Sequence, residues 1–136
     1  MRVTDHKTGR VRAEKNLVIG GGTTLQPLLY ALAAERVLNE PISAGRLYYC
    51  TAAGGYEERV AILNDTARGA IDEFARILGA ALSQGFLPAV PGERECEFCD
   101  YRRICGPYEA ARIQRKLQTS GTKARIAELE RLRGMQ

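Results

Sequence analysis

The sequence predicts a mixed α/β domain: a sheet flanked by helices, followed by a cysteine-marked segment and a basic helical tail. Three observations carry this. Short β-branched or aromatic runs end at glycines, as in "RVTDHKTG" and "GRLYYCTAAGG". Two long stretches repeat apolar residues every three or four positions. The two kinds alternate in the order β, α, β, β, α, which layers helices on a sheet.

"RVTDHK" begins with β-branched residues and ends at Thr8-Gly9, which reads as a strand entering a turn. "NLVIGGG" reads as a brief extended piece running into a glycine loop. "TTLQPLLYALAAERVL" reads as a helix, with its threonines as caps, Pro27 in the first turn, and Leu28, Leu29, Leu32 and Ala33 as apolar positions. "GRLYYCT" and "YEERVAIL" read as a hairpin through "AAGG". A second helix follows over "NDTARGAIDEFARILGAALSQGF", capped by Asn64 or Asp65, with Ile71, Phe74, Leu78 and Leu82 as its stripe. The segment "LPAVPGERECEFCDYRRICGPYE" reads as a loop. A basic helical tail, broken at "TSGT", closes the chain.

With 136 residues, 45% apolar and 26% charged, the composition is that of an ordinary globular protein. No apolar run approaches the roughly 18 residues of a membrane span, and the first residues lack a secretory core, so the expected location is the cytoplasm. The net charge is +4, and from Tyr101 onward nine Lys or Arg face three Glu, leaving +6 in the tail. Such a tail suits a phosphate backbone, although by charge pattern alone a solvated helix surface is the favoured reading. Arg102, Arg103, Arg112, Arg115 and Lys116 are the candidate nucleic-acid contacts.

Chemistry concentrates in three places. In an extended "VTDHKTG", Asp5 and Lys7 project to one face and His6 to the other. A carboxylate suits Mg²⁺ or Mn²⁺, and a neighbouring ammonium can orient water and offset charge on a phosphate, which together meet the needs of metal-assisted phosphodiester hydrolysis. The same tripeptide is also a common surface charge pair. His6 is expected to pack against a helix. Gln26 and Tyr30, four apart, share a helix face as polar-tipped residues among aliphatics. Cys96, Cys99 and Cys105 form a C-x2-C-x5-C array, which outside a secretory context argues for zinc or an iron–sulfur cluster over disulfides. Cys50, in a predicted strand, reads as a small core residue.

In Asp5-His6-Lys7, Gln26 with Tyr30, and Cys96, Cys99, Cys105 followed by "GPYE", the chain resembles the C-terminal part of a RecB/AddB-type nuclease of the PD-(D/E)xK superfamily, in its iron–sulfur branch. The likeness spans Arg2 to Glu109. It implies a restriction-endonuclease-like mixed sheet, with residues 1–93 as part of the nuclease core, 94–108 as the cluster segment and 109–136 as the basic tail. It implies that Asp5 binds the catalytic Mg²⁺ or Mn²⁺ with the main-chain carbonyl of His6, and that Lys7 positions the attacking water and steadies the scissile phosphate. Gln26 and Tyr30 line the cleft, and the three cysteines join a distant one around a [4Fe–4S] cluster. DNA ends or single strands are the implied substrates, processed beside a helicase subunit in repair.

The family's earlier acidic ligand and first cluster cysteine have no counterpart, so the chain is expected to be an N-terminally truncated piece, a poor nuclease or none by itself, of a full-length product that is competent. Two other readings stand beside the nuclease: a non-catalytic DNA-binding or scaffold subunit of a helicase–nuclease complex, and a small zinc-stabilised domain.

Overall fold

Two segments far apart in sequence, Arg2–Lys7 (β1) and Ala44–Tyr49 (β2), lie side by side and parallel in a computed structural model that describes residues 1–92 and 94–135. Parallel neighbours need a crossover, and α1, Gln26–Leu38, provides it. The third strand, β3 (Glu58–Ile62), pairs antiparallel with β2, so the sheet order is β1-β2-β3. A mixed sheet with helices is the architecture the alternating pattern predicts.

The register puts Asp5 opposite Leu47, His6 opposite Tyr48 and Lys7 opposite Tyr49. Leu47 and Tyr49 are buried with Leu28 and Ala31 of α1 in one core, against which Val3 packs half-buried. Complete burial of a side chain such as Leu28 or Ile19 contributes about 1.5–3 kcal/mol each. The helix meets the strand at Gly45, where a Cβ would stand 1.9 Å from the carbonyl oxygen of Pro27. Only glycine permits that approach. The opposite face of the sheet is polar: Arg46 donates to Thr4 Oγ1 at 3.1 Å and pairs with Glu58 at 2.9 Å.

Several local expectations change. Leu17 and Ile19 are buried, yet "NLVIGGG" forms no strand, because the carbonyl of Ile19 is used in a turn that accepts from Gly22 and Thr24. The threonines do not cap α1: Leu25 holds the N-cap position, and Thr23 donates back to Gly20 O at 2.6 Å. On α1 the buried residues are Pro27, Leu28 and Ala31, with Leu29 exposed. Asn64 does cap α2 (Asp65–Ser83), accepting from Ala67 N at 2.9 Å. On α2, Ile71 is buried and Phe74 half-buried, but the later buried positions are Ile77 and Ala81, while Leu82 is 57% exposed. His6 is exposed and stands edge-on to Tyr48, with ring centroids 5.9 Å apart. It packs on no helix, because α1 covers the face that carries Leu47 and Tyr49.

The chain divides into two compact units. The first, Met1–Arg76 with the segment from Leu132, contains the sheet and α1. The second, Ile77–Arg131, holds α3 (Arg102–Cys105), α4 (Glu109–Gln118) and most of α5 (Ser120–Arg133). Within it Ile126 is fully buried and the Arg125 guanidinium lies 3.7 Å from the centre of the Phe86 ring. The helical tail breaks at Thr119, as "TSGT" predicts. The expected boundary at residue 93 falls outside the described residues.

Candidate active site

At the C-terminal end of β1 the strand period turns Asp5 and Lys7 toward α1. Lys7 Nζ lies 2.7 Å from Asp5 Oδ2, and the two side chains are 34% and 21% exposed. The two form an ion pair, and Oδ2 is buried and, among the described residues, accepts no hydrogen bond of ordinary geometry. Lys7 donates instead to Gln26 Oε1 at 2.5 Å, and Gln26 Nε2 donates to Tyr30 OH at 2.9 Å. A strand end and a helix start are thus joined in one line of polar groups, Asp5–Lys7–Gln26–Tyr30. The i, i+4 spacing sets Gln26 and Tyr30 on one side of α1, and Tyr30 remains 47% exposed.

Lys7 and Gln26 share a cavity of about 460 Å³ with Arg10, Arg12, Thr23, Thr24 and Tyr49. Among the described residues, no aspartate or glutamate lines it. The sequence reading missed the arginines and threonines of this wall. The signal for the arginines was present in "RVR", a basic–apolar–basic alternation directly after the turn.

The sequence model of the PD-(D/E)XK nuclease superfamily matches residues 1–106, more than three-quarters of the chain. The chain belongs to the PD-(D/E)XK nuclease superfamily. No curated protein and no solved structure matches it significantly.

PD-(D/E)XK nucleases usually use divalent metals such as Mg²⁺. The oxygens at the end of β1 fit such an ion. Asp5 supplies a carboxylate whose Oδ2 has no hydrogen-bond donor. The backbone supplies a second oxygen: Met1 O and Lys7 O accept from Ser43 N and Cys50 N on the β2 side, so the intervening His6 carbonyl points to the other edge of β1. Mg²⁺ keeps several waters and takes few protein ligands, so one carboxylate and one carbonyl suffice for a partial shell. Among the described residues, no three His, Cys, Asp or Glu side chains gather close enough to hold one ion.

In the second unit of this superfamily member, Cys96, Cys99 and Cys105 line one cavity of about 320 Å³ with Ala89, Val90, Pro91 and Ile113. Cys50, in the first unit, is half-buried, with its Sγ 3.5 Å from Lys7 O. Of the five basic residues singled out, three are engaged locally. Arg102 pairs with Glu109, Arg112 donates to the carbonyls of Gly106 and Pro107, and Lys116 donates to Ala89 O. These bonds tie α4 to the cysteine segment. Arg103 and Arg115 are exposed.

Among the described residues no helix is long and apolar enough to cross a membrane.

Proposed function

We propose that this nuclease-superfamily chain acts as a metal-dependent DNA nuclease of the RecB/AddB type, cutting phosphodiesters at DNA ends or in single strands during repair, in the cytoplasm and beside a helicase subunit. The observation that carries the reading is the line Asp5–Lys7–Gln26–Tyr30, with Lys7 reaching into a cleft. Asp5 and the His6 carbonyl would hold Mg²⁺ or Mn²⁺, which supplies Lewis acidity when bound. Lys7 orients the attacking water and offsets charge developing on the phosphate. Gln26 accepts from Lys7 and so fixes the ammonium's direction, while Tyr30 fixes the amide of Gln26. The three cysteines would serve as ligands of a [4Fe–4S] cluster. The three thiols line one cavity, and thiolates ligate such a cluster.

The test is cleavage of end-labelled single-stranded and duplex DNA with Mg²⁺ or Mn²⁺ by the native chain, Asp5→Asn and Lys7→Ala. Weak cleavage by the native chain, and its loss in both variants, is expected. Undiminished cleavage by Lys7→Ala would overturn the assignment.

A second reading, a DNA-binding or scaffold subunit without catalysis, is favoured by one observation: among the described residues, the cleft beside Lys7 is lined by basic and hydroxyl side chains and by no carboxylate. DNA binding without cleavage in the same assay would select it.

A further inference from the structure

The loop after β1 carries two charges that the catalytic line does not use. Residues 10–13 lie outside helix and strand, with basic and apolar side chains alternating. Val11 and Ala13 are half-buried against the core, whereas Arg10 and Arg12 are exposed and have no acidic partner among the described residues. The loop is nonetheless anchored. Thr51 Oγ1 donates to Thr8 O at 3.0 Å, the amides of Arg12 and Ala13 both lie 3.4 Å from the hydroxyl of the buried Tyr49, and Arg59 Nε donates to Ala13 O at 3.0 Å. At Gly54 a Cβ would stand 2.9 Å from Gly9 O, so the β2–β3 connection closes directly on the loop.

Arg10 and Arg12 line the same cavity as Lys7, with the hydroxyl-bearing Thr23 and Thr24 alongside and no carboxylate among the described lining residues. Lys7 is paired with Asp5, which leaves the two arginines as the cations of this opening without an acidic partner, a setting that favours an anion. An anchored backbone removes much of the ordering cost of binding. Arginine presents a planar fork of donors that matches phosphate oxygens in pairs. We propose that Arg10 and Arg12 form a phosphate-binding subsite that grips the DNA strand next to the phosphate held at Lys7. The proposal rests on the nuclease reading of the Lys7 site, since it takes the strand's direction from that site. It makes Arg10 and Arg12 positioning residues: they hold the substrate and leave the bond-breaking step to Asp5 and Lys7.

The test is binding of a fluorescent single-stranded oligonucleotide in EDTA, measured against salt for the native chain, Arg10→Ala/Arg12→Ala, the length-preserving Arg10→Gln/Arg12→Gln, and Arg36→Ala as an exposed control on α1. Each phosphate contact on a single strand contributes about 0.7 to the slope of log K against log salt. Both double variants should lower that slope by about 1.4 and weaken binding at least tenfold at low salt, with Arg36→Ala unchanged. Where cleavage is measurable, KM should rise while kcat holds. An unchanged slope in the Gln variant, which keeps its side-chain length if the Ala variant misfolds, overturns the subsite; so does a native chain that binds no oligonucleotide. Loss of slope without any cleavage would keep the subsite and remove the nuclease reading. Cleavage with an unaltered slope would do the reverse.

Discussion

The ammonium of Lys7, at the end of β1, donates to the side-chain carbonyl of Gln26 in the first turn of α1 across 2.5 Å. The bond spans the crossover of the β1–α1–β2 unit, so the sheet–helix packing that stabilises the fold also aims the amine. Lys7→Met should abolish measurable DNA cleavage, a loss of at least about 100-fold, as expected when a charge-stabilising group is removed. Its melting temperature should stay near that of the native chain, because the side chain is one-third exposed.

Gln26→Ala leaves the ammonium present but unaimed. A misplacement of this kind costs up to about 100-fold in rate. Tyr30→Phe removes only the hydroxyl that accepts from Gln26, and one such hydrogen bond contributes about 0.5–1.5 kcal/mol. Single-turnover cleavage rates should therefore fall in the order Lys7→Met, Gln26→Ala, Tyr30→Phe. An inverted order would mean that the line of polar groups does not transmit position.

Gly45→Ala should be among the most destabilising single changes in the first unit. The added methyl would stand 1.9 Å from Pro27 O, a backbone atom that cannot rotate away. Overpacking against movable side chains costs about 1–3 kcal/mol, and a rigid carbonyl should bring the loss to the top of that range or beyond. Chemical denaturation monitored by circular dichroism measures it.

Glu35 ties α1 to α2: Arg68 bonds its carboxylate at 2.8 and 2.9 Å, and Ile42 N donates to it at 3.3 Å. The Arg68 hydrogen bond, followed by that of Ile42, holds the Glu35 carboxyl below its ordinary value of 4.5. A folded-state value below the unfolded one means that the ionised form is favoured by folding. This stabilisation is present in full above 4.5 and is lost as pH falls through the lower folded value. Thermal melts from pH 7 down to 3 should show a shallower acid loss in Glu35→Gln than in the native chain. Glu58, lowered by Arg46, should act in the same direction.

The cysteine segment predicts a spectroscopic result. Protein purified without oxygen should be brown, and Cys96→Ser, Cys99→Ser and Cys105→Ser should each lose the colour, because cluster ligation uses thiolates. Colourless protein carrying stoichiometric zinc would replace the cluster by a zinc site.

Much of the fold was legible. β1, β2, β3, α1 and α2 fall where the apolar spacing and the glycine turns place them. Asn64 at the head of α2 caps it as its residue type predicts. Local pattern failed where burial was not tied to regular structure. Leu17 and Ile19 look like strand residues but reach the core from a turn. His6 was expected under a helix because a sequence records which residues share a face, not which face a helix covers.

The chain's residue order alone determined that Asp5 and Lys7 share a side, that Gln26 and Tyr30 share another, and that three thiols lie within ten residues, since the periods of strand and helix follow from backbone geometry. Only the tertiary structure decided that these two sides face each other, with Lys7 bonded to Gln26. It also decided that Arg10 and Arg12 border the same opening, while Arg112 and Lys116 are spent on carbonyls of the cysteine segment. The reason is physical: contact between elements depends on how the crossover packs at Gly45 and Pro27, and that packing is a property of the whole core rather than of any local run.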